Sequence, residues 1–272
     1  TMSDVTTFTE QHWLSFWKDG YVKLGKVVSD DDMQQLRDEI DRIMLGEAEV
    51  DYDRMLMQLD SESGKYEDAG PQTKGHKGAT LNYRKIQDLE YDPVFLRYMQ
   101  HPMFKSICDQ VYGGHTPVSC FRAMFFNKPA GRGTVLPWHQ DRWNNLDRDP
   151  LVTVWTAMDP ATKANGCVQI MPGSHRLGVV NPEHGSGFMN DRTMAEHCPE
   201  DKVVYLELEA GEVALLHNWL MHRSDVNRSG ISRRAFSVCY ADARTKTHHG
   251  HTFPLIFGTG ALDPDAVSPT NA

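Results

Sequence analysis

The sequence predicts a mainly β protein with flanking helices, a sandwich or jelly roll that carries its helices on one face. Three observations lead there. Helical periodicity is confined to the first part of the chain. From Val118 onward the texture changes to short runs of Val, Phe, Tyr and Trp bounded by Gly, Pro and Asn. A chain of 272 residues with 40% apolar content can bury one sizeable core but is short for two independent ones. One domain is therefore expected, with a helical and loop part at about 8–115 and a jelly-roll core at about 116–245.

Each element has its own warrant. From Ser29, "SDDDMQQLRDEIDRIML" begins with a cap and acids in the first turn, and Met33, Leu36, Ile40 and Ile43 form one apolar stripe of an amphipathic helix. Residues 46–82 are polar and glycine-bearing without a period, as in a long loop or lid, with Tyr52, Tyr66 and Lys74 as its possible substrate contacts. A second helical stretch runs from Pro93 to Tyr112 and is interrupted near Pro102. Then come "VSCFRAMFFNK", "LVTVWTAMD", "GCVQIM", "KVVYLELEAGEVALLHNWLMH" and "RRAFSVCYAD" as antiparallel strands, with "MPGSHR" and "EAGEV" as turns.

Composition excludes several classes. Net charge is −9 with no block of Lys and Arg, so there is no footprint for nucleic acid or anionic lipid. No apolar run reaches the roughly 18 residues of a membrane span, and "TMSDVTTFTEQHW" lacks the regions of a secretory signal, so a cytoplasmic protein is expected. Thr1 reads as a cloning remnant. Five cysteines with no CxxC pair argue against a disulfide framework and a thiolate zinc site. Small molecules remain as partners, for a monomer or homodimer.

"LPWHQDRWNN" places His139 and Asp141 two apart, which on a strand puts both on one face. An HxD alone also fits an ordinary polar pair. A histidine from a neighbouring strand would complete two histidines and a carboxylate on one face of a non-haem Fe(II) ion. His217 and His222 are both available and, five apart, face opposite sides of a regular strand. Arg233, at the start of the next strand, would return by a hairpin to the same place, and its fork suits a carboxylate. Metal, open positions and a carboxylate anchor together point to a 2-oxo acid cosubstrate.

From about Lys23 to Ala241 the chain resembles the phytanoyl-CoA dioxygenase family of Fe(II)/2-oxoglutarate oxygenases, most densely in "FNKPAGRGTVLPWHQD", "WTAMDPATKANGCVQIMPGSHR" and "GEVALLHNWLMHRSDVNRSGISRRAFSVCY". The resemblance implies a double-stranded β-helix, cupin-like jelly roll. It implies Fe(II), 2-oxoglutarate and O2 as cofactor and cosubstrates, with His139, Asp141 and His222 as metal ligands and Arg233 as anchor of the distal carboxylate. By the same resemblance Ser224 assists Arg233, Lys85, Met124 and Trp155 contact or pack against the cosubstrate, and Gln140 sits within the HxD. His217 matches a family position outside the ligand set and is read as structural. Because Asp141 is present where family halogenases carry a small residue, hydroxylation is expected over halogenation.

Substrate is less constrained. Arg122, Arg142, Trp143, Asn144 and Asn145, with Arg132 in a nearby turn, would line a pocket mouth suited to a small polar, anionic or zwitterionic metabolite of the amino acid, betaine or aminophosphonate type. Phe121, Phe126 and Val154 are expected to exclude water from the centre. The alternatives are an acyl-CoA or natural-product oxygenase of the same family and a non-catalytic jelly-roll binding or sensing protein. The lack of a basic cluster for nucleotide phosphates, and a C-terminal "SPTNA" that is no peroxisomal address, weigh against acyl-CoA. "THHGH" at 247–251 is expected to be a solvated stretch after the last core strand.

Overall fold

The computed structural model describes residues 8–267, so Thr1 and the "SPTNA" terminus lie outside the described residues. In chain order the elements are α1 (Glu10–Asp19), β1 (Tyr21–Lys26), α2 (Asp30–Leu45), β2 (Leu56–Leu59), β3 (Thr73–Lys74), β4 (Tyr83–Ile86), α3 (Pro93–Met99) and α4 (Pro102–Tyr112). There follow β5 (Val118–Lys128), β6 (Leu136–His139), β7 (Val152–Ala157), β8 (Val168–Ile170), α5 (Asp191–His197), β9 (Val204–Tyr205), β10 (Glu212–His217), β11 (His222–Ser224), β12 (Arg233–Asp242) and β13 (Leu255–Phe257). A nine-stranded sheet in the order β1-β10-β7-β12-β5-β4-β2-β3, with β13 also on β5, faces a four-stranded sheet in the order β6-β11-β8-β9. All the strand pairs are antiparallel. This is the predicted jelly roll.

Strand alternation divides the large sheet into two functional faces. Phe236, Val238 and Tyr240 of β12, Val152 and Val154 of β7, and Val213 and Leu215 of β10 pack outward on the main core. The helices close that core with Ile40 and Ile43 of α2, Phe95 and Met99 of α3, and Phe104 and Ile107 of α4. Tyr98 of α3 reaches into the same layer to bond Thr156 at 2.7 Å. The intervening positions, Trp155, Leu216, Ser237 and Cys239, face the other way and line the cavity between the sheets. Val154 therefore shields the helical layer, and the expectation that it guards the centre fails by one residue of strand parity.

α2 starts where the cap predicted: the Ser29 hydroxyl accepts from the Asp32 amide at 3.1 Å. Gly46 ends it in the left-handed region, at φ 79°. The second helical stretch breaks in two at Pro102, which opens α4. Three differences stand out. α1 and β1 were not predicted. Residues 46–82 are not a free lid, because β2 and β3 extend the large sheet through β4, with Met57 fully buried. "THHGH" is solvent-facing at its histidines, as expected, but the chain returns beyond it to add β13.

Two buried acids give the fold a distinctive pH response, and burial raises Asp92 as well as Glu90. Glu90 is pushed up to about 8, and among the described residues its Oε2 has no hydrogen-bond partner. The folded state thus keeps a proton that the unfolded chain releases near 4.5, so stability from this group is full below that pH and is lost as the pH rises through about 8. Glu90→Gln is expected to flatten that decline, measured as the difference between variant and parent in urea midpoints from about pH 5 to 8.

Candidate active site

The site lies where the two sheets face each other. His139 is the last residue of β6, and its register partner on β11 is His222, so the two imidazoles are delivered side by side by one strand pair. Asp141 is not on the strand as predicted. β6 ends at His139, and Asp141 follows in an irregular segment whose amide donates to the Asn218 carbonyl at 2.7 Å. The turn does what strand parity would have done. His139 Nε2 lies 3.6 Å from Asp141 Oδ1, and His222 Nε2 lies 3.8 Å from Asp141 Oδ2. The three ligand atoms all lie within 4.8 Å of one another.

The ring nitrogens show which species this centre is built to hold. His139 Nδ1 donates to the Pro137 carbonyl and His222 Nδ1 to the Leu220 carbonyl, both at 2.8 Å. A carbonyl can only accept, so each Nδ1 carries a proton, and each Nε2 is the ring nitrogen that faces Asp141. Burial, with His222 alongside, pushes His139 down to about 3, keeping the imidazole neutral as metal ligation requires. Phe188 stacks on His139 at 5.1 Å and shields its outer face. Gly187, at φ 74°, brings that loop in so closely that an added Cβ would lie 2.1 Å from the Gln140 carbonyl oxygen. Two imidazoles that present Nε2 and a carboxylate on one rim of a cavity fit Fe(II).

The cavity has two joined chambers. The inner one runs between Trp155, Val168, Leu216 and Ser237 and ends at Arg233. Arg233 is 4% exposed, its guanidinium lies 5.5 Å over the Trp155 ring, and among the described residues its Nε has no hydrogen-bond partner. Burial pushes it down to about 10, which still leaves it charged at neutral pH. Asn127 Oδ1 is likewise buried and unpartnered. A buried cation without an acceptor is costly unless an anion completes it. Ser224 and Met124 also line this chamber. The predicted hairpin route to Arg233 is not the one used: β11 belongs to the small sheet and β12 to the large one, so the chain crosses the sandwich between them.

The outer chamber shares His139, Asp141 and Trp143 with the inner one and adds Tyr66, Gln72, Lys85, Arg122 and Ser186. Lys85 is thus on the outer side, where its Nζ donates to Gln72 Oε1 at 3.0 Å. Burial, reinforced by Arg122 and Arg84, pushes Lys85 down to about 7. Arg84 lines both chambers and was missed; its neighbour Lys85 drew the attention, and nothing in the spacing of "YRKI" shows that both side chains reach the cavity. Phe126 lines both chambers, while Phe121 instead packs on Trp143 at 4.5 Å.

Several expected contacts lie elsewhere. Gln140 is fully buried away from both chambers, donating from Nε2 to the carbonyls of Gly178 and Trp219 at 2.8 Å and accepting from the Val180 amide at 2.9 Å. It is a strut, because consecutive residues leave the strand end in opposite directions. Gln140→Ala is expected to lower stability by about 3 kcal/mol through three lost hydrogen bonds and the groups left unpaired, as read from urea unfolding. Arg142 donates to the Pro182 carbonyl at 3.3 Å and Asn144 lies against Gly185, neither on the cavity wall. Arg132 pairs with Asp60 at 3.1 Å. Tyr52 packs on His76, and Lys74 is exposed. His217 is buried against Phe16 and His175, and lines neither chamber.

Residues 16–235 match the family described as phytanoyl-CoA dioxygenase (PhyH). The chain belongs to that family. A probable phytanoyl-CoA dioxygenase of Caenorhabditis elegans is 31% identical over 169 residues, 58% of this chain and 54% of the relative. The peroxisomal phytanoyl-CoA dioxygenase of Rattus norvegicus is 28% identical over 243 residues, 84% of this chain and 67% of the relative. The chain thus spans from about half to two thirds of the length of these relatives. Among solved structures, EctD from S. alaskensis with 2-oxoglutarate and 5-hydroxyectoine superposes with a TM-score of 0.68 at 18% identity, over 97% of this chain and 84% of that one. The carbocyclase SnoK from nogalamycin biosynthesis superposes with a TM-score of 0.64 at 18% identity, over 89% and 87%. These two likenesses establish the jelly-roll fold of the chain. Among the described residues no helix is long and apolar enough to cross a membrane.

Proposed function

We propose that the protein is an Fe(II)- and 2-oxoglutarate-dependent dioxygenase that hydroxylates an unactivated C–H of a small polar, anionic or zwitterionic metabolite, releasing succinate and carbon dioxide. The observation that carries this reading is the shared cavity: the His139, Asp141 and His222 cluster opens into a chamber whose far end is a buried guanidinium without an acceptor. His139, Asp141 and His222 would hold the iron, which with bound 2-oxoglutarate and O2 supplies an oxidant able to break an unactivated C–H bond. Arg233 holds the distal carboxylate bidentately, with Ser224 beside it, and thereby sets how far the cosubstrate reaches toward the ligands. Trp155 and Val168 keep the inner chamber dry, and Trp143, at the junction of the chambers, orients whatever enters from outside.

Substrate enters by the outer chamber, whose lining is dominated by polar and cationic side chains rather than the aliphatic surface a long acyl chain needs. Five free, buried cysteines fit a reducing compartment such as the cytoplasm. Succinate release in the presence of Fe(II), 2-oxoglutarate and O2 tests the proposal across amino acids, betaines, aminophosphonates and acyl-CoA esters. Stimulation by a polar acid or zwitterion, absent in His139→Ala, is expected. Stimulation by acyl-CoA esters alone would overturn the substrate class.

A further inference from the structure

Three cationic side chains converge on the outer chamber: Arg84, Lys85 and Arg122. Among the described residues none of them has an ion-pair partner. Arg84 uses one N–H on Gln58 Oε1 at 2.8 Å and lies 5.2 Å over the Tyr66 ring. Lys85 gives one of its three donors to Gln72. Among the described residues the Arg122 side chain makes no hydrogen bond; its guanidinium lies beside the packed Phe121 and Trp143 rings, 4.9 Å and 4.8 Å from their centres, which leaves its fork free. The nearby carboxylate is Asp141, which belongs to the metal cluster. Three desolvated basic side chains facing one carboxylate leave an excess of positive charge that a bound anion would complete.

We propose that Arg122, Lys85 and Arg84 form a subsite for a doubly charged phosphoryl group, a phosphate monoester or a phosphonate, carried by the substrate. This rests on the reading of the joined cavity as an oxygenase site, and it places Lys85 on the substrate rather than on the cosubstrate. Geometry separates the two anion sites: Arg233 lines the inner chamber only, and Lys85 and Arg122 line the outer chamber only. The number of donors selects the head group. A phosphoryl group offers three terminal oxygens and up to two negative charges to the three side chains, whereas a carboxylate offers two oxygens and one charge. Gripped there, the phosphoryl group would leave the carbon next to it, or one bond further, facing His139 and Asp141 at the junction of the chambers.

The test is calorimetric titration of methylphosphonate, methyl phosphate and acetate into protein holding Fe(II) and saturating 2-oxoglutarate without oxygen. Either phosphoryl probe is expected to bind at least about tenfold tighter than acetate, and Arg122→Gln and Lys85→Met are each expected to weaken it about tenfold. Both variants should titrate with 2-oxoglutarate as the parent does. Tighter methylphosphonate supports a phosphonate substrate and tighter methyl phosphate supports a monoester. Acetate binding as well as either probe, displacement of the probe by excess 2-oxoglutarate, or variants that bind like the parent would overturn the proposal. In anion-free buffer Arg122→Gln should melt no lower than the parent, since it removes an unmatched charge; a lower melting temperature with probe binding intact would make Arg122 structural. The same titration on metal-free protein tests the subsite even if the iron reading fails.

Discussion

His222→Ala is expected to abolish iron-dependent activity and to weaken Fe(II) binding by more than about 100-fold, the upper range for losing a mere supporting contact to a ligand. His222 donates Nδ1–H to the Leu220 carbonyl and presents Nε2 to the Asp141 carboxylate, and alanine leaves only two of the three ligand atoms. His217, five residues earlier, is the control. It ends β10, accepts the Trp219 amide on Nδ1 at 3.0 Å and packs against Phe16 and His175, lining neither chamber. His217→Ala is expected to cost about 2 kcal/mol or more of stability while leaving Fe(II) affinity within a few-fold. Metal titration followed by urea unfolding separates the two. The opposite pattern would exchange their roles.

Arg233→Met is expected to have the second largest effect, a loss of 2-oxoglutarate affinity of about 3–5 kcal/mol, or at least 100-fold. The distal carboxylate would then be buried without a partner. Arg233→Lys keeps the charge but loses the planar fork, so a smaller loss of about tenfold to 100-fold follows from one missing charge-assisted bond. Fe(II) affinity should change little in either variant, because Arg233 comes from the large sheet and the two ligand histidines from the small one. The stability readout has the unusual sign. Among the described residues nothing accepts from Arg233 Nε, so Arg233→Met should leave the ligand-free protein at least as stable as the parent. Equal loss of iron and 2-oxoglutarate binding, together with a lower melting temperature, would make Arg233 a structural residue.

The strands that build the cavity were legible because they are long and buried on both faces. β5 coincides with "VSCFRAMFFNK" and β12 with "RRAFSVCYAD", and between them they place Met124, Arg122, Arg233 and Ser237. β2 to β4 escaped notice because each has four residues or fewer and is held by joining the large sheet in series, β4 on β5, β2 on β4 and β3 on β2, rather than by its own pattern. α1 escaped because Leu14 is 56% exposed and Trp17 40% exposed, which blurs the apolar stripe that would have marked it. At the site, residue identity pointed to the three residues that the fold brings together, for a partly wrong geometric reason. Strand parity cannot show that Asp141 is carried by a turn, that Gln140 points into the scaffold, or that Arg142 and Asn144 lie off the cavity wall. Those placements depend on the 178–188 loop folding back over β6 and, for Asp141 and Gln140, on the 218–219 turn, contacts between segments roughly 40 to 80 residues apart in the chain that no local signal encodes.

The most direct measurement is an anaerobic absorbance titration of the metal-free protein with Fe(II) and 2-oxoglutarate, with His139→Ala as control. A visible charge-transfer band that needs both components and is absent in the control is the expected result. No band from folded protein would contradict the metal and cosubstrate sites together, and would leave the chain as a non-catalytic jelly roll.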